Sequence, residues 1–118
     1  MSRVVMIQQP INARDFSSAA RYGSLDVVFN DSRFQPSLAP GPSAFELRKA
    51  FRDFDPNEDY VLVSGGDPLG VLLAGQVLGT MFPRETIQAL RWERERAIDG
   101  QRTEGGGFYM PVKLKGQQ

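Results

Sequence analysis

Residues 60–83 have the sequence YVLVSGGDPLGVLLAGQVLGTMFP, and this stretch decides the fold class. Its first part, residues 60–63, is a nearly continuous apolar run, as expected of a strand that is covered on both faces. Asp67 then fits the N-cap of a helix predicted over residues 68–82, because proline is favoured at the first helical position. The next segment, Thr86–Arg94, alternates between two faces like a second strand. The three segments predict a β-α-β unit with a right-handed crossover.

The helix predicted over residues 68–82 is apolar on almost every side, so it is expected to be the most buried element of the fold. Gly75 and Gly79 are spaced i to i+4 and leave a smooth groove along one side of this helix. Each glycine costs about 1 kcal/mol relative to alanine in a helix interior. We therefore expect close packing along the groove.

A second amphipathic pattern predicts the other main helix. Ser43 and Glu46 fit a capping box, in which each side chain binds a free backbone N–H group of the first turn. Apolar residues follow at i, i+3, i+4 and i+7 and form one stripe on a helix. The stripe consists of Leu47, Ala50, Phe51 and Phe54. The proline-rich residues 30–42, which precede this helix, are predicted to form a loop.

The remaining apolar segments complete the predicted sheet. Residues 3–7 and 25–29 are short runs typical of strands. Residues 108–114 alternate and are expected to pair antiparallel with Thr86–Arg94, and the polar, glycine-rich residues 95–107 form the loop between them. A chain of 118 residues suits one domain. The prediction is a single α+β domain over residues 1–118, with a mixed, mainly antiparallel sheet of about five strands and two main helices.

The residue inventory excludes several kinds of catalytic site. The sequence contains no cysteine and no histidine, so a thiolate nucleophile, a Ser-His-Asp triad and a zinc site of the usual kind are ruled out. The carboxylates in residues 53–59 lack the spacing of an EF-hand loop. The sequence therefore predicts a protein that is not an enzyme and that carries no cofactor or metal. The disfavoured alternative is a nucleotide-processing enzyme whose mechanism relies on tyrosine, serine, aspartate or arginine.

Charge and hydropathy limit the possible partners. The chain has 14 basic and 14 acidic side chains and a formal net charge of zero, whereas duplex-binding modules have a basic excess. Zero net charge leaves little electrostatic resistance to self-association, so a homo-oligomer is permitted. The longest apolar run, residues 69–82, is too short to cross a bilayer. We expect a cytoplasmic protein with a small-molecule partner, no membrane and no duplex nucleic acid.

Three clusters of residues are candidates for ligand binding, and the first follows the strand at residues 60–63. Gly65 and Gly66 let a ligand approach the backbone, and the helix N-terminus after Asp67 presents free N–H groups. Small anionic ligands bind α/β sheets at such carboxyl ends of strands. The alternative is a tight turn with an Asp N-cap, because the stretch is neither a Walker loop nor a GxGxxG motif.

The second cluster consists of Arg91, Trp92, Arg94 and Arg96. On a strand, Trp92 and Arg94 share a face, so an indole ring and a guanidinium group lie side by side. Such a pair can stack on a nucleobase and bind a phosphate. The alternative is a core tryptophan at a strand end, with the arginines paired in solvent to the two intervening glutamates.

The third cluster lies near the N-terminus, where Phe16 and Arg21 stand close in sequence to Arg14 and Tyr22. Two guanidinium groups, two hydroxyls and two aromatic rings within a short loop or helical turn could clamp a nucleotide-like ligand. The alternative is that Phe16 and Tyr22 anchor a surface segment to the core.

Several short motifs follow one another along the chain. They are Asp15-Phe16-Ser17, Arg21-Tyr22-Gly23, Phe54-Asp55-Pro56, Asp59-Tyr60-Val61-Leu62, Gly66-Asp67-Pro68, Leu90-Arg91-Trp92-Glu93-Arg94 and Phe108-Tyr109-Met110-Pro111-Val112. In this order they resemble the phage Thoeris anti-defence sponge proteins of the first-described type. The resemblance implies a small, oligomeric α/β protein that captures cyclic ADP-ribose isomers made by bacterial TIR-domain defence enzymes.

The resemblance also implies a site of arginines and aromatic rings around a doubly phosphorylated nucleotide. It favours Arg94 and Arg96 over Arg102, which lies in a loop longer than the turn of that family. The function it implies is sequestration of a cyclic nucleotide immune signal in the host bacterial cytosol. The alternative is a small phage inhibitor that docks on a host enzyme through exposed aromatic residues. These residues are Phe34, Phe45 and Phe108.

Overall fold

The computed structural model describes residues 2–11, 16–94 and 107–115. In chain order its elements are β1 (Arg3–Gln8), α1 (Ser17–Ala20), β2 (Ser24–Phe29), a 3₁₀ turn (Pro36–Leu38), α2 (Pro40–Ala50), β3 (Tyr60–Leu62), α3 (Pro68–Met81), β4 (Thr86–Arg94) and β5 (Gly107–Lys115). They form one compact α+β domain with a five-stranded mixed sheet and two main helices, which confirms the predicted class. None of the helices in the described residues is long and apolar enough to span a membrane.

The strands lie in the order β2-β1-β3-β4-β5. β1 pairs parallel with both β2 and β3, and β3 pairs parallel with β4. Among the described strands only β4 and β5 are antiparallel to each other, as predicted. The prediction of a mainly antiparallel sheet is therefore wrong. A parallel pair needs a crossover. The described part of the segment between β1 and β2 contains one helical turn, α1, and a predicted turn of this length does not by itself indicate a crossover.

Helices lie on both faces of the sheet. On one face, α2 and α3 pack against Val5, Ile7 and Val61. On the opposite face, the strands are covered by Ala19 of α1 and by the ring of Tyr109 from β5. The central strands β1 and β3 are therefore buried on both sides, which explains their continuous apolar sequences.

α2 begins four residues before the position that the capping box predicts, because its N-cap is Ala39 and not Ser43. It starts at Pro40, and its N-cap Ala39 makes no side-chain hydrogen bond. Ser43 instead lies buried inside the helix, and its hydroxyl has no partner among the described residues. Proline suits the first turn because the N–H group that it lacks has no helical partner there. The predicted loop 30–42 therefore ends in the 3₁₀ turn and the first turn of α2.

α3 ends within one residue of its predicted bound but is not the most buried element. Leu69 and Leu72 expose 62% and 65% of their surfaces. A Cβ atom at Gly75 or Gly79 would meet no atom within 4 Å, so nothing in the described chain packs into the glycine groove. The prediction of close packing is therefore wrong for the described residues. An apolar pattern does not reveal whether the partner of a helix face lies in the same chain.

The carboxamide of Gln8 joins three loops at the end of β1. Its Nε2 donates to the backbone oxygens of Asp31 and Phe34 at 3.0 and 2.6 Å, and its Oε1 accepts from the backbone N–H of Asp67 at 3.0 Å. The residue is 2% exposed. Gln8 therefore fixes the loops after β2 and β3 relative to β1.

Replacing Gln8 by leucine should lower the free energy of unfolding by about 1–3 kcal/mol, because buried backbone groups lose their hydrogen-bond partner. Equilibrium unfolding in urea measures this difference. The control is Gln35→Leu, at an exposed position, which should change stability by less than about 0.5 kcal/mol. Equal effects of the two substitutions would contradict the role assigned to Gln8.

Candidate functional site

The order of the strands reverses at β1. The chain moves outward from β1 to β2 and then returns to β3 on the other side of β1. In open sheets of this kind, ligands bind outside the carboxyl ends of the strands at such a switch point. Here this carboxyl edge consists of residues 9–11 and 63–67, which follow β1 and β3, and of the end of β4.

The turn after β3 depends on two glycines with left-handed backbone conformations. The φ angle is 119° at Gly65 and 88° at Gly66, values that residues with a Cβ atom rarely adopt. A Cβ atom at Gly66 would overlap the carboxamide of Gln8, and one at Gly65 would contact Pro10 at 3.7 Å. The turn therefore lies against the residues at the end of β1, and both predicted glycines are at the switch point.

The carboxylate of Asp67 occupies the N-terminus of α3, where the sequence predicted that a ligand anion could bind. Its Oδ1 accepts from the backbone N–H of Leu69 at 3.2 Å, and its Oδ2 accepts from that of Ser37 at 3.0 Å. Hydrogen bonds from the side chain and backbone of Ser37 hold the pKa of the Asp67 carboxyl below its ordinary value. The arrangement matches the tight-turn alternative, and a phosphate placed at this end of α3 would meet a negative charge.

Ser64 begins the same turn and was predicted only as part of this strand-to-helix junction, with no role of its own. It is 8% exposed, and its hydroxyl has no hydrogen-bond partner in the part of the chain that the structure describes. A buried hydroxyl without a partner is unfavourable, so Ser64 is a point of unsatisfied polarity beneath the turn. The signal in the sequence is its position between a buried strand and two glycines.

An aromatic row joins the second and third predicted clusters. Tyr109 of β5 lies between Phe16 and Trp92, with ring centroids 6.1 and 4.9 Å away. The Tyr22 hydroxyl donates to the backbone oxygen of Tyr109 at 3.2 Å. Phe16 and Trp92 are both half-buried. Sequence reasoning missed Tyr109, although the alternation of β5 places its ring on the face opposite to its neighbours.

Trp92 stands at the same edge of the sheet as the glycine turn. The last pair between β3 and β4 joins Leu62 to Leu90, and β4 continues for four more residues to Arg94. The end of β4 therefore projects past β3, next to residues 63–66. This geometry brings Trp92 and the predicted glycines to one end of the molecule.

Two of the predicted arginines do not lie beside the ring of Trp92. Arg91 points to the opposite face of the sheet, because side chains alternate along β4, and it forms an ion pair with Glu93 at 3.1 Å. Arg21 lies at the far end of α1, where it packs over the ring of Tyr22 at 5.6 Å. It lines a shallow hollow of about 520 Å³ beside the first residues of β2. Arg91 therefore faces the side of the sheet opposite to Trp92, and Arg21 lies apart from both. The assignment of these two arginines to ligand binding stays a prediction.

The remaining predicted arginines follow Trp92 along the chain. Arg94 is the last residue of β4, and its backbone pairs with Gly107. Its side chain lies outside the described residues, as do Arg96 and residues 95–106 of the predicted loop. Within the described ranges, no group of three metal-ligating side chains is placed to hold a metal ion.

Asp67→Asn should destabilise the protein at neutral pH, because asparagine keeps an acceptor but loses the negative charge at the positive end of α3. Since the pKa of Asp67 is lowered, its carboxylate contributes stability above the ordinary value of 3.8 and loses it as the pH falls through the folded-state pKa. The difference between wild type and variant should therefore shrink in acid.

Urea unfolding at neutral and at acidic pH measures this change. Asp53→Asn, which removes an exposed carboxyl in the turn after α2, is the matched control. A difference between wild type and Asp67→Asn that stays constant with pH would show that the charge of Asp67 does not stabilise the helix.

Comparison with known proteins gives one assignment. A family model for phage Pam3 gp32-like proteins matches residues 2–98, which include β1 to β4 and all three helices. No curated protein and no solved structure matches the chain. Because the family model covers most of the sequence, the chain belongs to the phage Pam3 gp32-like protein family.

Proposed function

We propose that this phage protein is a non-catalytic binder that sequesters a cyclic nucleotide immune signal, a cyclic ADP-ribose isomer, and so inhibits host anti-phage defence. Membership of a phage family supports the setting, and the resemblance to Thoeris anti-defence sponges supplies the ligand class. The observation that carries the proposal is the carboxyl edge, where the turn at residues 63–66 lies at the switch point of the sheet and the half-buried Trp92 lies near the end of β4, the strand beside β3.

The aromatic row suits the base of such a ligand. The ring of Tyr109 packs against Phe16 and against Trp92. Phe16 and Trp92 each keep a part of their surface accessible to solvent. Stacking of a base on an aromatic side chain contributes about 1–3 kcal/mol. The backbone of the glycine turn supplies hydrogen-bonding groups nearby.

The phosphates of the ligand are expected on the β4 side of the edge. The carboxylate of Asp67 occupies the N-terminus of α3 and repels them. Arg94 ends β4, and Arg96 follows two residues later. Guanidinium groups bind phosphates through two parallel hydrogen bonds, so these two arginines are the expected phosphate ligands.

Arg94→Ala and Arg96→Ala should each weaken binding of a cyclic ADP-ribose isomer by roughly 1.5–3 kcal/mol, the contribution of a charge-assisted hydrogen bond. Isothermal titration calorimetry measures the affinity. Arg91→Ala is the matched control, because Arg91 is paired with Glu93 on the other face of the sheet, and it should leave affinity unchanged. Equal affinity of all three variants and the wild type would reject this site.

The same ligand should be recovered intact from the protein. Holding it requires only pre-organised donors and a stacking ring, and the chain has no histidine or cysteine to serve as a base or nucleophile. Mass spectrometry of the material released by heat denaturation should therefore show the unchanged cyclic nucleotide. A cleaved product would indicate an enzyme instead.

Direct docking on a host enzyme is the second candidate function. Phe34, Phe45 and Phe108 expose 39%, 55% and 45% of their surfaces, and exposed aromatic rings are enriched at the centres of interfaces. A pull-down from host lysate that retains one stoichiometric protein, together with no binding of cyclic nucleotides, would favour this function over sequestration.

A further inference from the structure

An apolar surface extends across α3 and β5, on the side of the sheet where α2 and α3 pack. It consists of Leu69, Leu72, Gly75 and Gly79 of α3 and Phe108, Met110 and Leu114 of β5, and we call it the α3–β5 face. Its five large side chains expose between 38% and 65% of their surfaces. None of the 14 residues of α3 is charged.

A hollow of about 930 Å³ joins the two elements of the α3–β5 face. It is lined by Gly75 and Gly79 on the helix side, by Leu114 on the strand side, and by Phe82 and Ile87. Open space surrounds the positions where the two glycines would carry a Cβ atom. The backbone of α3 is therefore accessible along this hollow.

The topology explains why the face is uncovered. α3 connects β3 to β4, and the next strand, β5, is the antiparallel neighbour of β4 at the edge of the sheet. A parallel edge strand would require a crossover helix, which would cover it. In the described residues, α1 contacts β5 from the opposite face of the sheet, and neither α2 nor α3 packs on β5 from this face.

We propose that a second copy of this chain covers the α3–β5 face, with the two α3 helices packed antiparallel about a two-fold axis. If a large, fully exposed apolar side chain presents about 200 Å², the five side chains of the face leave roughly 500 Å² in solvent. Apolar patches of this size mark interaction sites on otherwise monomeric proteins. A standard interface takes about 800 Å² from each partner, and the helix backbone and the rim of the hollow supply the rest.

The α3–β5 face is complementary to itself. In a two-fold interface, residue i of one copy contacts residue j of the other, and j contacts i. Leu69 and Leu72 form a ridge on the first half of α3, and Gly75 and Gly79 form a groove on the second half. Antiparallel packing places each ridge against the groove of the partner, which favours a second copy over an unrelated protein.

Charge does not oppose this pairing. The charged residues around the hollow are Arg84, Glu85 and Lys115, which carry both signs, and the net charge of the chain is zero. Arg91 and Glu93, the cross-strand neighbours of Met110 and Phe108, lie on the same side of the sheet and form an ion pair with each other. Two identical copies therefore do not present a uniform charge to each other. The proposed dimer does not depend on a bound nucleotide. An experiment can therefore reject the dimer without rejecting nucleotide binding, and the reverse.

Sedimentation equilibrium of the ligand-free protein, over a roughly hundredfold range of concentration, should show a monomer–dimer equilibrium. Leu72→Glu places a charge on the ridge and Gly79→Leu fills the groove, and each should raise the dissociation constant at least about tenfold. Leu25→Glu is the matched control, because Leu25 is exposed on β2 at the far edge of the sheet. It should leave the dissociation constant unchanged.

Gly79→Leu separates the interface from folding. A Cβ atom at position 79 would meet no atom within 4 Å in the single chain, and leucine favours a helix over glycine. The thermal midpoint of Gly79→Leu should therefore not fall below that of the Leu72→Glu monomer. A wild-type protein that stays monomeric would overturn the proposal. So would a folded Gly79→Leu variant that dimerises like the wild type, or an α3–β5 face that binds a host protein and no second copy.

Discussion

The carboxyl edge of the sheet depends on the buried carboxamide of Gln8. It reaches the backbone groups of Asp31, Phe34 and Asp67 because β1 is the strand at which the order reverses, so the loops after both of its neighbours converge on its end. The same contact requires glycine at position 66, since a Cβ atom there would overlap the carboxamide. One side chain therefore determines both the shape of the turn and the place where α3 begins.

The parts of the fold that sequence could predict are those in which neighbouring residues carry the signal. The unit β3-α3-β4 follows from an apolar run and an Asp-Pro helix start, and the stripe of α2 is buried at Leu47 and Phe51 as expected. The parallel pairing of β1 with β2 depends on a crossover whose described part contains one helical turn, and a single turn is too short to show the periodicity of a crossover helix. The start of α2 was misplaced because proline favours both loops and first helical turns.

The same distinction holds for the candidate site. Gly65, Gly66 and Asp67 lie at the switch point, because the end of a strand and the start of a helix are local features. Arg91 is adjacent to Trp92 in sequence but lies on the opposite face of the sheet, because successive side chains of a strand point to opposite faces. The contact of Tyr109 with Phe16 joins residues 93 positions apart (109 minus 16), and no local pattern contains such a pair. Proximity in sequence therefore suggested a cluster of arginines that do not all face the same side of the sheet, and it gave no sign of the aromatic row.

α3 shows how a helix that is apolar on every side can have two partners. Its inner side packs in the core through Ala74 and Val77, while Leu72 remains in solvent. Glycines in a helix interior lower its stability by about 1 kcal/mol each, and at Gly75 and Gly79 nothing in the described chain offsets this cost. The proposed second copy offsets it through a close approach of two backbones. Because the α3–β5 face lies on the side of the sheet opposite to the rings of Trp92 and Tyr109, self-association leaves the aromatic row free for a ligand.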